Sequence, residues 1–319
     1  MLRLYRQGET EIDRGRFHRM LYRVLKDVQK LPGVHLHGSV SGPETYDGIH
    51  DGSNGLFAQL LETAASSNLL AIEADRYRFL PGLGNGTTGR RDPRLENVVR
   101  VYANEIASLA TVCACVDRAR PAEGAELARL LFDDELRAHA QSKRTYSAPR
   151  HGAVNGLETA ADNGEPYLLV PDRQSRPGVV LVHGFLAIPA QLKELGQRLA
   201  DRGHPVLGVR LRGHGTSPWD LRDRNWQDWL HSVRRGYEIM SHIAGDVLLA
   251  GFATGASLAL QVAAARPQGL AGVVAVSAPL KFRDRNLAYA PLIHGINRLA
   301  EWVYAEDGVK PFHVVEPEH

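Results

Sequence analysis

Four short apolar runs, each bounded by turn residues and separated by helical stretches, constrain this chain more than any other feature. They are Gly178 to Val182 (GVVLV), Pro205 to Val209, Asp246 to Ala250 (DVLLA) and Leu270 to Val276 (LAGVVAV). Between them lie Ala190 to Arg202, with Leu192, Leu195 and Leu199 on one face, then Trp226 to Ile243, then Gly255 to Ala265. Apolar runs without polar alternation are strands buried on both faces, and strands that alternate with helices build a parallel sheet covered on both sides. The expected fold class is α/β.

The first part of the chain has a different texture. Leu95, Val98, Val99, Tyr102, Ile106, Leu109, Cys113 and Val116 recur at three or four residues, which predicts a helix from about Arg94 to Asp117. Gly124 to Ala140 predicts another, and the Gly, Ser, Asp and His density from Leu31 to Asn54 predicts irregular chain. The stretch from about Gln141 to Pro177, with Ser147-Ala148-Pro149 and Asp162-Asn163-Gly164, reads as a separator. The expectation is a mostly helical N-terminal region of unknown role, residues 1–145, followed by an α/β domain, residues 146–319.

Composition excludes several classes of function. Lys plus Arg number 38 against 36 acids, and the halves divided at residue 150 carry 21 against 19 and 17 against 17. Neither half has the positive excess of a nucleic-acid footprint. Cys113 and Cys115, one residue apart and without paired Cys/His spacing, indicate neither a disulfide framework nor a structural metal, so a reducing, cytoplasmic setting is expected. No stretch reaches the roughly 18 apolar residues of a membrane span, and no metal or cofactor is expected.

The chemistry is concentrated at three strand ends, the side of an open α/β sheet where ligands bind. His183-Gly184-Phe185 follows the first strand, Arg212-Gly213-His214-Gly215-Thr216-Ser217 the second, and Gly251-Phe252-Ala253-Thr254-Gly255 the third. The last has the frame of the strand-turn-helix nucleophile elbow G-x-S-x-G, with Ala253 in the central position. His183 and His214 read either as structural groups hydrogen-bonding loop backbone or as site residues. Thr254 and Ser257 are nearby hydroxyls poorly placed to substitute for a nucleophile. Trp219, Trp226 and Trp229 read as packing residues, with Trp219 also a candidate for the border of an acyl pocket.

From Pro177 to about Phe282, roughly a third of the chain, these motifs resemble the α/β-hydrolase family, in its carboxylesterase and monoacylglycerol lipase branch. The resemblance rests on VVLVHGF, LRGHGTSP, Trp226-Gln227-Asp228-Trp229, GFATGASLAL and VSAPLKF in that order. It implies that Ala253 stands at the nucleophile position and that the backbone N–H groups of Phe185 and Thr254 form an oxyanion hole. His183, Gly184, His214 and Trp219 are then candidate binding residues, and the implied ligand is a small acyl ester or lipid-like molecule.

A serine hydrolase of this fold also needs an acid and a histidine on loops after later strands. The 43 residues after Val276 hold Asp284, His294, Asp307 and His313, but Arg283-Asp284-Arg285 and Glu306-Asp307-Gly308 follow no strand-like run and read as lid surface. The expectation is a parallel sheet truncated at its C-terminus, without acid or base, and self-association through an uncapped sheet edge. Two functions compete: an altered acyl-ester hydrolase, inactive or severely impaired as given, and a non-catalytic module that holds an acyl group or a protein partner. In the first block, Leu56 to Leu80 and Asn97 to Leu109 look a little like the region after the catalytic domain of membrane glycerol-phosphate acyltransferases. Their His-x-x-x-x-Asp does not occur, since the fifth residue after His18, His35, His37, His50 and His139 is Arg23, Val40, Gly42, Gly55 and Arg144. No acyltransferase activity follows.

Overall fold

Arg76-Tyr77-Arg78-Phe79 alternates charge with aromatic bulk, and the structure turns that alternation into a strand. The computed structural model describes residues 1–84, 97–156, 164–172 and 176–279. In it β1 (Glu11–Asp13), β2 (Leu70–Ile72) and β3 (Arg76–Phe79) form an antiparallel sheet in the order β1-β3-β2. Tyr77 and Phe79 face inward onto Phe17, Met20, Leu61 and Leu70, where they build a small core of their own. The first block is thus helical with a three-stranded sheet inside it. Strands of three and four residues are too short to show a period in sequence.

The helix Arg14–Val28 starts at Asp13, whose carboxylate accepts the Arg16 N–H at 2.6 Å, the usual repair of an orphan helix donor. Residues 31–54 are largely irregular, with single-turn helices at Gly38–Ser41 and Pro43–Tyr46. The continuous helix expected to Asp117 is instead two, Val98–Ile106 and Ala110–Asp117. The first residues of that expected helix lie outside the described ones. Tyr102, Ile106 and Leu109, the middle of the predicted apolar stripe, are 54%, 40% and 50% exposed, so no burial holds the helix straight through the break.

The main sheet has the order β4-β6-β5-β7-β8, from β4 (Tyr167–Leu169), β5 (Gly178–Val182), β6 (Val206–Val209), β7 (Val247–Phe252) and β8 (Leu270–Val276). β5, β6, β7 and β8 are parallel, in register Val180↔Leu207 and Val180↔Leu249, while β4 runs antiparallel on β6. Every residue of β5 and β6 is buried, as an unalternated apolar run requires. β4 falls inside the polar stretch read as a separator. Only Tyr167 of its three residues is buried, too little to stand out from its surroundings. Among the described residues β8 pairs with β7 alone, and Val274 and Val276 are exposed.

Helices cover both faces. Trp226–Ser241 opens with a reciprocal capping box, Asn225 and Asp228 each bonding the other's backbone N–H, and lays Val233, Tyr237 and Met240 on one face. Lys193–Ala200 follows a 3₁₀ turn, Pro189–Leu192, on the other. The change of pitch breaks the expected phase: Leu192 and Leu199 pack on the core, but Leu195 is 39% exposed. The helix Gly124–Tyr146 stacks on Trp226–Ser241, so one core joins Tyr22, Tyr46, Leu127 and Leu131 to Val180, Leu207, Leu230 and Val233. Among the described residues no helix is long and apolar enough to cross a membrane.

Candidate active site

β7 runs into the helix Thr254–Ala264 with one residue between them, and that residue is Ala253. Its φ of 49° and ψ of −120° lie in the left-handed half of conformational space, which costs an L-residue of order 1–3 kcal/mol and persists only where the surroundings enforce it. The enforcement is visible. The Ala253 N–H donates to the Val276 carbonyl at 2.9 Å, and its carbonyl accepts from Ala256 N–H at 2.9 Å. A Cβ at Gly251 would stand 2.3 Å from the Gly255 carbonyl oxygen, and one at Gly255 would stand 2.4 Å from that of His183. The two glycines therefore let the helix press on β5 and β7, and this close packing creates the sharp turn. The exposed Ala253 methyl group faces the His183-Gly184 turn, since a Cβ on Gly184 would meet it at 3.3 Å.

The neighbouring hydroxyls are elsewhere. Thr254 is the first residue of the helix, and the Ser257 hydroxyl points to the Pro279 carbonyl at 3.5 Å, at the long limit of a hydrogen bond. The backbone N–H groups of Phe185 and Thr254 have no hydrogen-bond partner among the described residues.

Beneath the turn lies a layer of rings. His183 is buried, with Nδ1–H donating to the Gly184 carbonyl at 2.8 Å and Nε2 accepting from Leu211 N–H at 3.1 Å, the tautomer these partners require. Burial, with His214 adding to it, pushes its pKa down to about 3, so the ring is neutral and both nitrogens are engaged. His214 packs edge-on against His183 at 5.1 Å, Phe185 at 5.8 Å and Trp229 at 5.4 Å between ring centroids. Its nitrogens make no well-aligned hydrogen bond among the described residues, and burial lowers its pKa to about 4 against the opposing pull of the nearby Arg212 and Leu211 backbone. Phe185 and Leu186 are 49% and 55% exposed and form an apolar rim, Leu186 at a φ of 60°.

Trp219 does not join this layer through its ring contacts, which are His151 at 6.4 Å and the Arg222 guanidinium at 5.1 Å. The indole against Phe185 is Trp229, at 5.6 Å, with its N–H on the Arg212 carbonyl at 3.1 Å. Trp219 sits on the short helix Pro218–Arg222 and Trp229 on the helix Trp226–Ser241, and it is the latter that meets the loop.

The loop carrying His214 is held by a buried ion pair that no motif announces. Arg210 donates through Nη2 to Asp220 Oδ2 at 3.4 Å and through Nε to the His214 carbonyl at 2.9 Å. Asp220, fully buried, also accepts from the Thr216 hydroxyl at 2.7 Å and from Arg224 at 3.1 Å. Burial lowers the Arg210 pKa to about 10, and the neighbouring Asp220 opposes that shift. Asp284, His294, Asp307 and His313 lie outside the described residues.

Residues 173–312 match the family described as serine aminopeptidase, S33. A thermostable monoacylglycerol lipase from a Bacillus species is 34% identical over 101 residues, 32% of this chain and 40% of the lipase. A carboxylesterase of Bacillus subtilis is 29% identical over 112 residues, 35% of this chain and 45% of that enzyme. The chain thus spans less than half the length of these two relatives. A solved structure reported for LipS and LipT, two metagenome-derived lipolytic enzymes, shares 27% identity at a TM-score of 0.38, covering 40% of this chain and 51% of the other. Strand order, elbow and sequence together define an α/β-hydrolase. In sequence this part of the chain is similar to the carboxylesterase and monoacylglycerol lipase branch of that fold.

Proposed function

We propose that the chain carries an acyl-ester hydrolase site of the carboxylesterase and lysophospholipase kind, silent as it stands because Ala253 occupies the nucleophile position. The single observation that carries this reading is the elbow itself, a strained turn with a methyl group at its tip. In the intact chemistry a hydroxyl at that tip attacks the ester carbonyl, the alcohol leaves, and water releases the acyl group. The free N–H groups of Phe185 and Thr254 suit the oxyanion that forms on the way. A methyl group has neither the lone pair nor the proton for the first step.

The second reading is a module that holds an acyl group without cleaving it. The exposed apolar rim of Phe185 and Leu186 beside the elbow favours it, because that rim suits an alkyl chain whether or not a bond is broken. Both readings are tested by following hydrolysis of p-nitrophenyl butyrate by the chain and by Ala253→Ser. The chain should show no acyl burst and at most the residual effect of binding and oxyanion donors, about 10³- to 10⁴-fold over water. Ala253→Ser should also stay far below an intact esterase, since His183 has both nitrogens engaged and His214 is buried. Rapid burst turnover by the unaltered chain would overturn the first reading. Saturable quenching of tryptophan fluorescence by an alkyl ether analogue of the ester, lost in Trp229→Phe and without turnover, would favour the second.

A further inference from the structure

Where residues 47–53 meet the helix Trp226–Ser241, three side chains with metal-ligating atoms converge from two distant parts of the chain. His50 Nε2 lies 2.5 Å from Glu238 Oε1 and 3.9 Å from Asp51 Oδ2. One donor atom from each of the three lies within 4.8 Å of the other two. They open on a cavity of about 370 Å³, lined also by Asp47, Ser53 and Arg234. The proposed ester chemistry uses none of them.

The surroundings of His50 Nε2 present a conflict. A proton on that nitrogen satisfies Glu238 Oε1 but leaves it facing an N–H of Arg235 Nη1 at 3.3 Å, which also donates to Glu238 Oε2. Two donors thus face each other at that nitrogen. A cation in place of the shared proton would take lone pairs from Nε2 and Oε1 together. Arg235 would keep its other contacts, Glu238 Oε2 at 2.8 Å and the Asp47 carboxylate. Glu238 is divided in the manner of an oriented ligand, one oxygen fixed by the guanidinium and the other turned to the imidazole.

We propose that His50, Asp51 and Glu238 bind a divalent transition-metal ion of the zinc class, pinning the N-terminal block to the α/β-hydrolase part. One imidazole and two carboxylates are donors that zinc accepts, leaving a coordination position toward the cavity. Metal–donor distances of about 2.0–2.2 Å ask Nε2 and Oε1 to part to about 3.3 Å, a side-chain movement. Asp51, 51% exposed, is free to swing in. No spacing motif marks such a site, because His50 and Glu238 are 188 positions apart.

The test is titration of the tag-free full chain with Co²⁺, read by its visible absorption bands, and competition of that signal by Zn²⁺. The chain should take up one ion per molecule, and Asp51→Asn, His50→Gln and Glu238→Gln should each weaken uptake at least tenfold. The exposed Asp51 is the variant least able to disturb folding, and a thermal melt of each variant separates lost binding from lost structure. No saturable uptake by the folded chain up to about 100 µM, an affinity weaker than any ion-pinning role needs, would overturn the proposal. So would uptake that all three variants leave unchanged, which would place the ion elsewhere.

Discussion

His214 carries the unusual chemistry of the site at the scale of one residue. Its ring is buried among His183, Phe185 and Trp229 without a well-aligned hydrogen bond among the described residues, so it packs as an aromatic group whose desolvation the nearby Arg212 and Leu211 backbone only partly offsets. The folded-state pKa values of His214 and His183, about 4 and about 3, lie below the ordinary 6.5. Between those limits the unfolded chain binds protons that the folded chain refuses, so folding stability falls as pH falls from about 6.5 toward 4. Each ring contributes a slope of up to about 1.4 kcal/mol per pH unit. His214→Phe keeps the ring contacts and removes one proton site. We expect it to be neutral or stabilising at pH 7 and to make the acid slope shallower, as measured by urea unfolding from pH 4 to 7.5. An unchanged slope would mean that His214 is solvated in the folded protein.

The strands show, at the scale of elements, what a sequence does and does not disclose. β5 and β6 were legible because burial on both faces forces an unbroken apolar run, and β7 and β8 because their runs are as apolar, although β7 is only alternately buried and β8 is partly exposed. The elbow was legible because Gly251 and Gly255 have no room for a Cβ, so its frame survives with Ala253 at the centre. β1, β2, β3 and β4 were not, since each is short and only partly buried, so no unbroken apolar run marks it. Arg210 and Asp220 stayed hidden for another reason: a charged residue in a loop reads as surface until a partner's position is known. Their pair is 5% and 0% exposed, and removing one member of such a pair costs about 3–5 kcal/mol. Asp220→Ala should therefore lower stability by roughly that amount and loosen residues 210–217, while Asp223→Ala, three positions away at the surface, should change little. Amide hydrogen exchange of the loop and a denaturant midpoint measure both. Equal effects would show that the ion pair does not organise the loop.

The two blocks share a core at the scale of the whole molecule. Tyr22, Tyr46, Leu127 and Leu131 complete the cover of the sheet through the Trp226–Ser241 helix. Asp47 adds an ionic contact to Arg235 and lies 2.8 Å from His231 Nε2. Residues 146–319 made without the first block would expose that apolar face, and we expect them to aggregate or to give a poorly dispersed amide spectrum. A folded, monomeric fragment would mean that the first block is an appendage. The elbow persists while its nucleophile position holds no hydroxyl, and intact-mass spectrometry after treatment with a fluorophosphonate shows whether any other group takes that place. No adduct is expected on the chain under conditions that fully label a serine esterase. A stoichiometric adduct, mapped to Ser257, Thr254 or any other hydroxyl, would contradict it.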